Sequence, residues 1–278
     1  MEIIIAQTAG FCFGVKRAVD MAFSYENEAS TYTYGPIIHN EVVTGALEKK
    51  GIYAIDSIEG KDVKKLIIRS HGVSPEIYKE GKAREIDIVD ATCPYVKKIH
   101  RYVERYYAQG YHILVAGNRV HPEIQGINGW AHNQCIIAKD VEELKEMDLP
   151  EGKYLFVAQT TYKKEIVDEM QAYLNEKGIV FEYINTICNA TKERQEEAVT
   201  LAAQVDCMLI LGSPKSANTK KLHEISETYC KRSYCVQGAA ELNEEMFKGC
   251  ERIGITAGAS TPHSVIEEVI DYIKKIER

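Results

Sequence analysis

GFCFGVK (residues 10–16), ATCPYVK (91–97) and TICNATK (186–192) each carry a cysteine followed four residues later by a lysine: Cys12 and Lys16, Cys93 and Lys97, Cys188 and Lys192. Around these three stretches the chain reads as one pattern written three times. Each cysteine opens a helical pattern. A strand-like run follows, ends in glycine, and is succeeded four residues on by a polar side chain: Gly35 to His39, Gly117 to His121, Gly212 to Ser216. The separations from cysteine to that polar residue are 27, 28 and 28. A second strand-like run in each third also ends in a polar group, at His71, Thr160 and Ser260. One such match would carry little weight; three in register indicate internal repetition.

The runs between these landmarks settle the fold class. EIIIA (2–6), KLIIRS (65–70), HILVAG (112–117), YLFVAQ (154–159), CMLILG (207–212) and RIGITAG (252–258) read as strands. Helical spacing of apolar residues marks VKRAVDMAFSY (15–25), KKIHRYVERYYAQ (97–109), KEIVDEMQAYLNEKG (164–178) and NATKERQEEAVTLAAQ (189–204). Strands alternating with helices predict α/β architecture with mostly parallel sheets. The expected division is three similar α/β units, 1–94 with Cys12, 95–187 with Glu123 and with Cys93 at its starting boundary, and 188–278 with Cys188. In open α/β sheets ligands bind beyond the carboxyl ends of the strands. The repeat places its polar residues at such ends, so three strand-end faces are expected to meet at a common pocket.

Composition narrows the function class. The chain of 278 residues is 45% hydrophobic and 27% charged, as ordinary globular proteins are, and its net charge is −7 with Lys and Arg scattered. No basic footprint for nucleic acid is present. The N-terminal MEIIIAQTAGFCFG lacks a basic leader and reads as a first strand and turn. No apolar run reaches membrane-spanning length. The expected setting is the cytoplasm, where thiols stay reduced.

Eight cysteines are present and no CxxC pair occurs. Cys135, Cys207, Cys230, Cys235 and Cys250 read as small buried hydrophobes. Cys12, Cys93 and Cys188 differ because each lies in a turn at a helix start, where the helix dipole favours thiolate, the metal-binding form. The nearby lysines are expected to add to this where they face the sulfur. Three thiolates serve either zinc, with a histidine as fourth ligand, or an iron–sulfur cluster. Around them His39, His71, His121, Thr160, Ser216, Asn218 and Ser260 offer many hydrogen-bond donors, which suits a phosphate or diphosphate. Glu123 is the one acid among them. Spacing alone reads it as a solvated loop carboxylate; within an anion-binding pocket its pKa is expected to rise, making it a proton donor. Three functions follow: a reductase, a zinc hydrolase with Glu123 as base, or a non-catalytic sensor of a phosphorylated metabolite.

AGFCFGVKRAV, YGPIIHN, RSHGV, DATCPYV, GNRVHPE, AQTT, NTICNAT, GSPKSANTKKL and TAGASTP, in that order, resemble the 4-hydroxy-3-methylbut-2-enyl diphosphate reductases along essentially the whole chain. The resemblance implies a pseudo-threefold cloverleaf of three α/β units around a central 4Fe–4S cluster. Cys12, Cys93 and Cys188 would hold the cluster, leaving one iron open to substrate. It implies a diphosphate held by His39, His71, His121, Ser216, Asn218 and Ser260, with Thr160, Glu123 and His121 handling the substrate hydroxyl and the proton supply. The implied reaction is two-electron reductive dehydroxylation giving isopentenyl and dimethylallyl diphosphate, the last step of the non-mevalonate isoprenoid pathway. Its electrons would come from an external protein of ferredoxin or flavodoxin type. One departure is visible: the family commonly reads Ser-Ser-Asn where this chain has Ser216-Ala217-Asn218, so any contact at Ala217 must come from backbone.

Overall fold

A computed structural model describes residues 1–276. Strands and helices follow one another as β1 (Glu2–Ile5), α1 (Phe13–Phe23), β2 (Thr31–Tyr34), α2 (Glu41–Glu48), β3 (Tyr53–Ile55), β4 (Lys65–Ile68), α3 (Pro75–Ala83), β5 (Asp87–Asp90), α4 (Pro94–Ala108), β6 (His112–Ala116), α5 (Pro122–Gly129), β7 (Ile136–Ala138), α6 (Val141–Lys145), β8 (Tyr154–Ala158), α7 (Lys164–Glu176), β9 (Phe181–Tyr183), α8 (Asn189–Ala202), β10 (Cys207–Leu211), α9 (Ala217–Tyr229), β11 (Ser233–Val236), β12 (Arg252–Ala257) and α10 (His263–Ile276). The strands form three four-stranded sheets, ordered β3-β2-β4-β5, β7-β6-β8-β9 and β1-β12-β10-β11. Every registered pair among the described residues is parallel. No helix among them is long and apolar enough to cross a membrane.

The central strands are apolar on both faces because helices cover both faces of a parallel sheet. In β10, Cys207, Leu209 and Leu211 enter one core with Ile253, Ile255, Val269 and Ile273. Met208 and Ile210 enter the opposite core with Ala198, Leu201 and Leu222. β6 and β8 divide in the same way: Ile113, Val115, Leu155 and Val157 pack on α4 and α5, while Leu114, Tyr154 and Phe156 pack on α7. Each such side chain contributes about 1.5–3 kcal/mol through burial. In α4, Val96, Ile99, Val103 and Tyr106 lie on one stripe at steps of three and four residues, and all are buried.

Two compact units result. The first comprises residues 1–20, 38–50 and 189 onward; the second comprises 21–37 and 51–188 and contains two of the three sheets. β6 to β9, which form one sheet, all lie between residues 95 and 187, while these two units do not follow the expected bounds 1–94, 95–187 and 188–278. At the N-terminus the sheets depart from those bounds too. β1 pairs with β12, with Glu2 opposite Arg252 and Ile5 opposite Ile255, so the first strand completes the sheet of the last segment. The reason is non-local: β12 is buried along most of its length and needs a neighbour on its second edge, and only pairing across the chain supplies one.

Candidate active site

In the first unit, the loop after β1 carries Cys12. Its backbone N–H donates to Ala259 O at 3.2 Å, and its carbonyl accepts from Lys16 N at 2.9 Å, so Cys12 caps α1. His39 precedes Asn40, the N-cap of α2, whose side chain accepts from Val43 N at 3.1 Å. Ser260 Oγ donates to His39 O at 3.4 Å, tying the ends of two repeats together. Ser216 is the N-cap of α9, accepting from Thr219 N at 3.4 Å. Asn218, in the first turn of α9, is 4% exposed, yet neither its amide nitrogen nor its carbonyl oxygen has a protein partner. Two unsatisfied polar atoms on one buried side chain are costly unless a ligand or water satisfies them. They sit at a helix N-terminus, where backbone N–H groups favour an anion. The strand ends approach closely there: a Cβ on Gly258 would lie 2.1 Å from Thr219 Oγ1. Glycine is therefore required at that position.

In the second unit, Cys93 is the N-cap of α4, and Pro94 starts the helix where no N–H is needed. Cys93 N donates to Ser70 O at 2.9 Å, and Ser70 N donates to Ile37 O at 3.2 Å. The next residue, His71, brings its ring 5.4 Å from that of His121 at 78°. His121 caps α5 through Nδ1, which accepts from Glu123 N at 3.2 Å. That bond requires an unprotonated Nδ1, so the neutral ring carries its proton on Nε2. Two α5 glycines let the His71 loop lie close: Cβ atoms on Gly126 and Gly129 would stand 3.4 Å from Gly72 C and 2.2 Å from Ser74 Cβ. Trp130 Nε1 donates to Val73 O at 3.0 Å.

Glu123 is 3% exposed, not a solvated loop carboxylate as its spacing suggests. Its Oε1 accepts from Thr160 N and its Oε2 from Thr160 Oγ1, both at 2.7 Å. Burial pushes its pKa up to about 7 despite the opposing effect of both Thr160 bonds. The α5 N-terminus also favours the charged form, but by only about 0.3–1 kcal/mol, so desolvation wins. Thr160 O accepts from Cys188 N at 3.0 Å, which puts the third cysteine beside the carboxyl–hydroxyl pair.

Burial alone does not divide the eight cysteines as the repeat does, since Cys135 and Cys235, expected to be buried, are only partly so. Cys207, Cys230 and Cys250 are buried. Burial pushes the Cys135 and Cys207 thiols up to about 12 and raises those of Cys235 and Cys250, which makes them poor metal ligands. Cys12, Cys93 and Cys188 are partly accessible. Each stands directly before a helix with its backbone N–H engaged. This donor set fits a thiolate-bound metal group. The lysines four residues on contribute less than expected. Lys16 pairs with Asp20 at 2.6 Å, Lys97 with Asp90 at 2.7 Å and Lys192 with Glu196 at 3.7 Å, so carboxylates already offset their charges.

Two residues that support the site, Gln159 and His100, carry no assigned role in the sequence pattern. Gln159 accepts from Asn118 N at 3.3 Å and donates to Thr161 Oγ1 at 3.1 Å, bridging the loops of His121 and Thr160. His100, 3% exposed, stacks on Trp130 at 5.3 Å and lies under Gly72, where a Cβ would meet its Cε1 at 2.5 Å. Gln159 lies inside a quoted motif and carried that signal; His100 sits mid-helix, and its partners are remote in sequence.

The LytB protein family model matches residues 3–274. The 4-hydroxy-3-methylbut-2-enyl diphosphate reductase of Caldanaerobacter subterraneus subsp. tengcongensis is 45% identical, over 100% of this chain and 98% of the relative. That of Clostridioides difficile is 43% identical, over 99% of this chain and 100% of the relative. A solved (E)-4-hydroxy-3-methyl-but-2-enyl diphosphate reductase, described as the terminal enzyme of the non-mevalonate pathway, superposes with a TM-score of 0.73 at 38% identity. It covers 99% of this chain and 100% of that one. The E-1-hydroxy-2-methyl-but-2-enyl-4-diphosphate reductase of Plasmodium falciparum superposes with a TM-score of 0.90 at 28% identity, over 100% of this chain and 88% of that one. With the family model spanning nearly every residue and relatives above 40% identity end to end, the chain belongs to the LytB protein family.

Proposed function

We propose that the protein reduces 4-hydroxy-3-methylbut-2-enyl diphosphate to isopentenyl and dimethylallyl diphosphate, as the terminal enzyme of the non-mevalonate pathway. The balance is two electrons and two protons in, and one water out. The observation that carries this reading is the buried Glu123 carboxyl, held near neutrality with both oxygens on Thr160. Cys12, Cys93 and Cys188 would hold one 4Fe–4S cluster. When bound, that group supplies the electrons and, with three thiolates for four irons, a Lewis-acidic iron open to substrate. A ferredoxin- or flavodoxin-type protein would deliver the electrons, in the cytoplasm.

The chain's own residues bind and protonate. His39, His71, His121, Ser216, Asn218 and Ser260 would hold the diphosphate. The unpartnered Asn218 amide and the α9 N–H groups suit its oxygens. That remote binding positions the allylic hydroxyl. Protonated Glu123 donates through Oε2 to Thr160 Oγ1, and Thr160 passes its own proton to the departing hydroxyl oxygen. The 2.7 Å Glu123–Thr160 separation is the direct proton-transfer distance. His121 would orient the same hydroxyl through its Nε2–H.

The test is anaerobic reconstitution with iron and sulfide, followed by turnover with a viologen reductant. About four irons per chain and both C5 diphosphates as products are expected. A protein that takes up only zinc, or that turns over without reductant, would overturn the reading.

A further inference from the structure

α8 starts directly after Cys188, and two of its side chains reach the loop that carries Cys12. Arg194 is 3% exposed. Its Nε donates to Thr8 O at 2.8 Å and its Nη2 to Gly10 O at 2.8 Å. One turn on, Glu197 Oε1 accepts from Gln7 N at 2.6 Å. Its Oε2 accepts from Thr8 N at 2.9 Å and from Thr8 Oγ1 at 2.5 Å. The two side chains, three residues apart on one helix face, thus satisfy two carbonyls and two N–H groups between the end of β1 and Cys12. Gly10 turns the chain with φ +97°, and Cys12 N closes the loop on Ala259 O.

Taking a charge out of water costs several kcal/mol and repays only through good geometry. Here the planar fork of Arg194 spans two carbonyls two residues apart, a job lysine cannot duplicate. Both carbonyl oxygens are engaged by α8, so the turn leading to Cys12 is fixed in direction as well as in place.

We infer that Arg194 and Glu197 are positioning residues for the metal ligand Cys12. They would set how firmly that sulfur holds its iron, as outer-shell partners do at other metal centres. This inference rests on the iron–sulfur reading above.

The test compares R194K, R194M and E197Q with R232M, whose parent Arg232 also binds carbonyls of the first unit, at Lys248 and Met246, but not in the Cys12 loop. In apoprotein, alkylation of each cysteine is followed by mass spectrometry. In reconstituted holoprotein, cluster loss to a chelator is followed by absorbance. R194M and E197Q should change the Cys12 alkylation rate severalfold and leave Cys93 and Cys188 unchanged. They should also lose the cluster about 10–100-fold faster, with R194K intermediate and R232M like wild type. Wild-type rates in R194M and E197Q, or an acceleration that R232M reproduces, would overturn the clamp. Wild-type protein that binds no iron would instead overturn the iron–sulfur reading, and the alkylation pattern still judges the clamp.

Discussion

Replacing Glu123 with Gln separates the electrostatics of this carboxyl from its chemistry. Its pKa rises from 4.5 to about 7 on folding, with burial the leading cause. Below pH 4.5 the carboxyl is protonated in both states and contributes no pH dependence. Between about 4.5 and 7 the unfolded chain has lost a proton that the folded chain still holds, so stability falls as pH rises. That rise corresponds to about 3 kcal/mol. Gln keeps the shape and can still accept from Thr160 N, but it does not ionise. The difference in unfolding free energy, E123Q minus wild type, should therefore grow by up to about 3 kcal/mol between pH 4.5 and pH 8. Urea denaturation of reduced apoprotein across that range measures it. In holoprotein, wild-type kcat should fall above pH 7 as the acid ionises, and E123Q should lose about 10²–10⁴ in turnover with its iron retained. Parallel stability curves for the two proteins would show that the carboxyl is not desolvated. Near-normal turnover in E123Q would refute its role as proton source.

Other perturbations test the surrounding frame. Asn218→Ala should weaken inorganic pyrophosphate binding about tenfold, measured by calorimetry, while the apoprotein melts no lower, because the variant removes two unsatisfied buried atoms. Gly129→Ala should cost about 1–3 kcal/mol in chemical denaturation, since its Cβ would lie 2.2 Å from Ser74 Cβ, and should raise KM through the displaced His71 loop. His100 is held down to about 4, mainly by burial, against an ordinary value of 6.5. Its contribution is complete above pH 6.5 and is lost as pH falls toward 4. His100→Phe, which keeps the stack on Trp130, should remove about 3 kcal/mol of acid destabilisation across that window.

Much of this molecule was legible in its residues because the repeat is local. The spacing of Cys12, Cys93 and Cys188 to later glycines, the period-3.6 stripe of α4 and the doubly apolar runs of β8 and β10 are properties of neighbouring positions. They specify parallel α/β architecture and mark which cysteines open helices. The capping roles of Cys93, His121 and Ser216 belong to the same class, since a residue before Pro94, before Pro122 or before an α9 start is placed by local backbone rules.

What depended on distant parts of the chain could not be read that way. The edge pairing of β1 with β12, and hence the membership of the first strand in the last sheet, is a choice among equivalent apolar edges made 250 positions away. Glu123 carries no sign in the sequence of being buried. Its burial exists only in the folded chain, and its two bonds come from a residue 37 positions on. The same holds for Arg194 and Glu197, which look like two charges on a solvated helix until Thr8 and Gly10 fold against them. Charge and spacing are written along the chain, whereas burial, and with it the energy of a charge, exists only once remote segments have excluded water from one another.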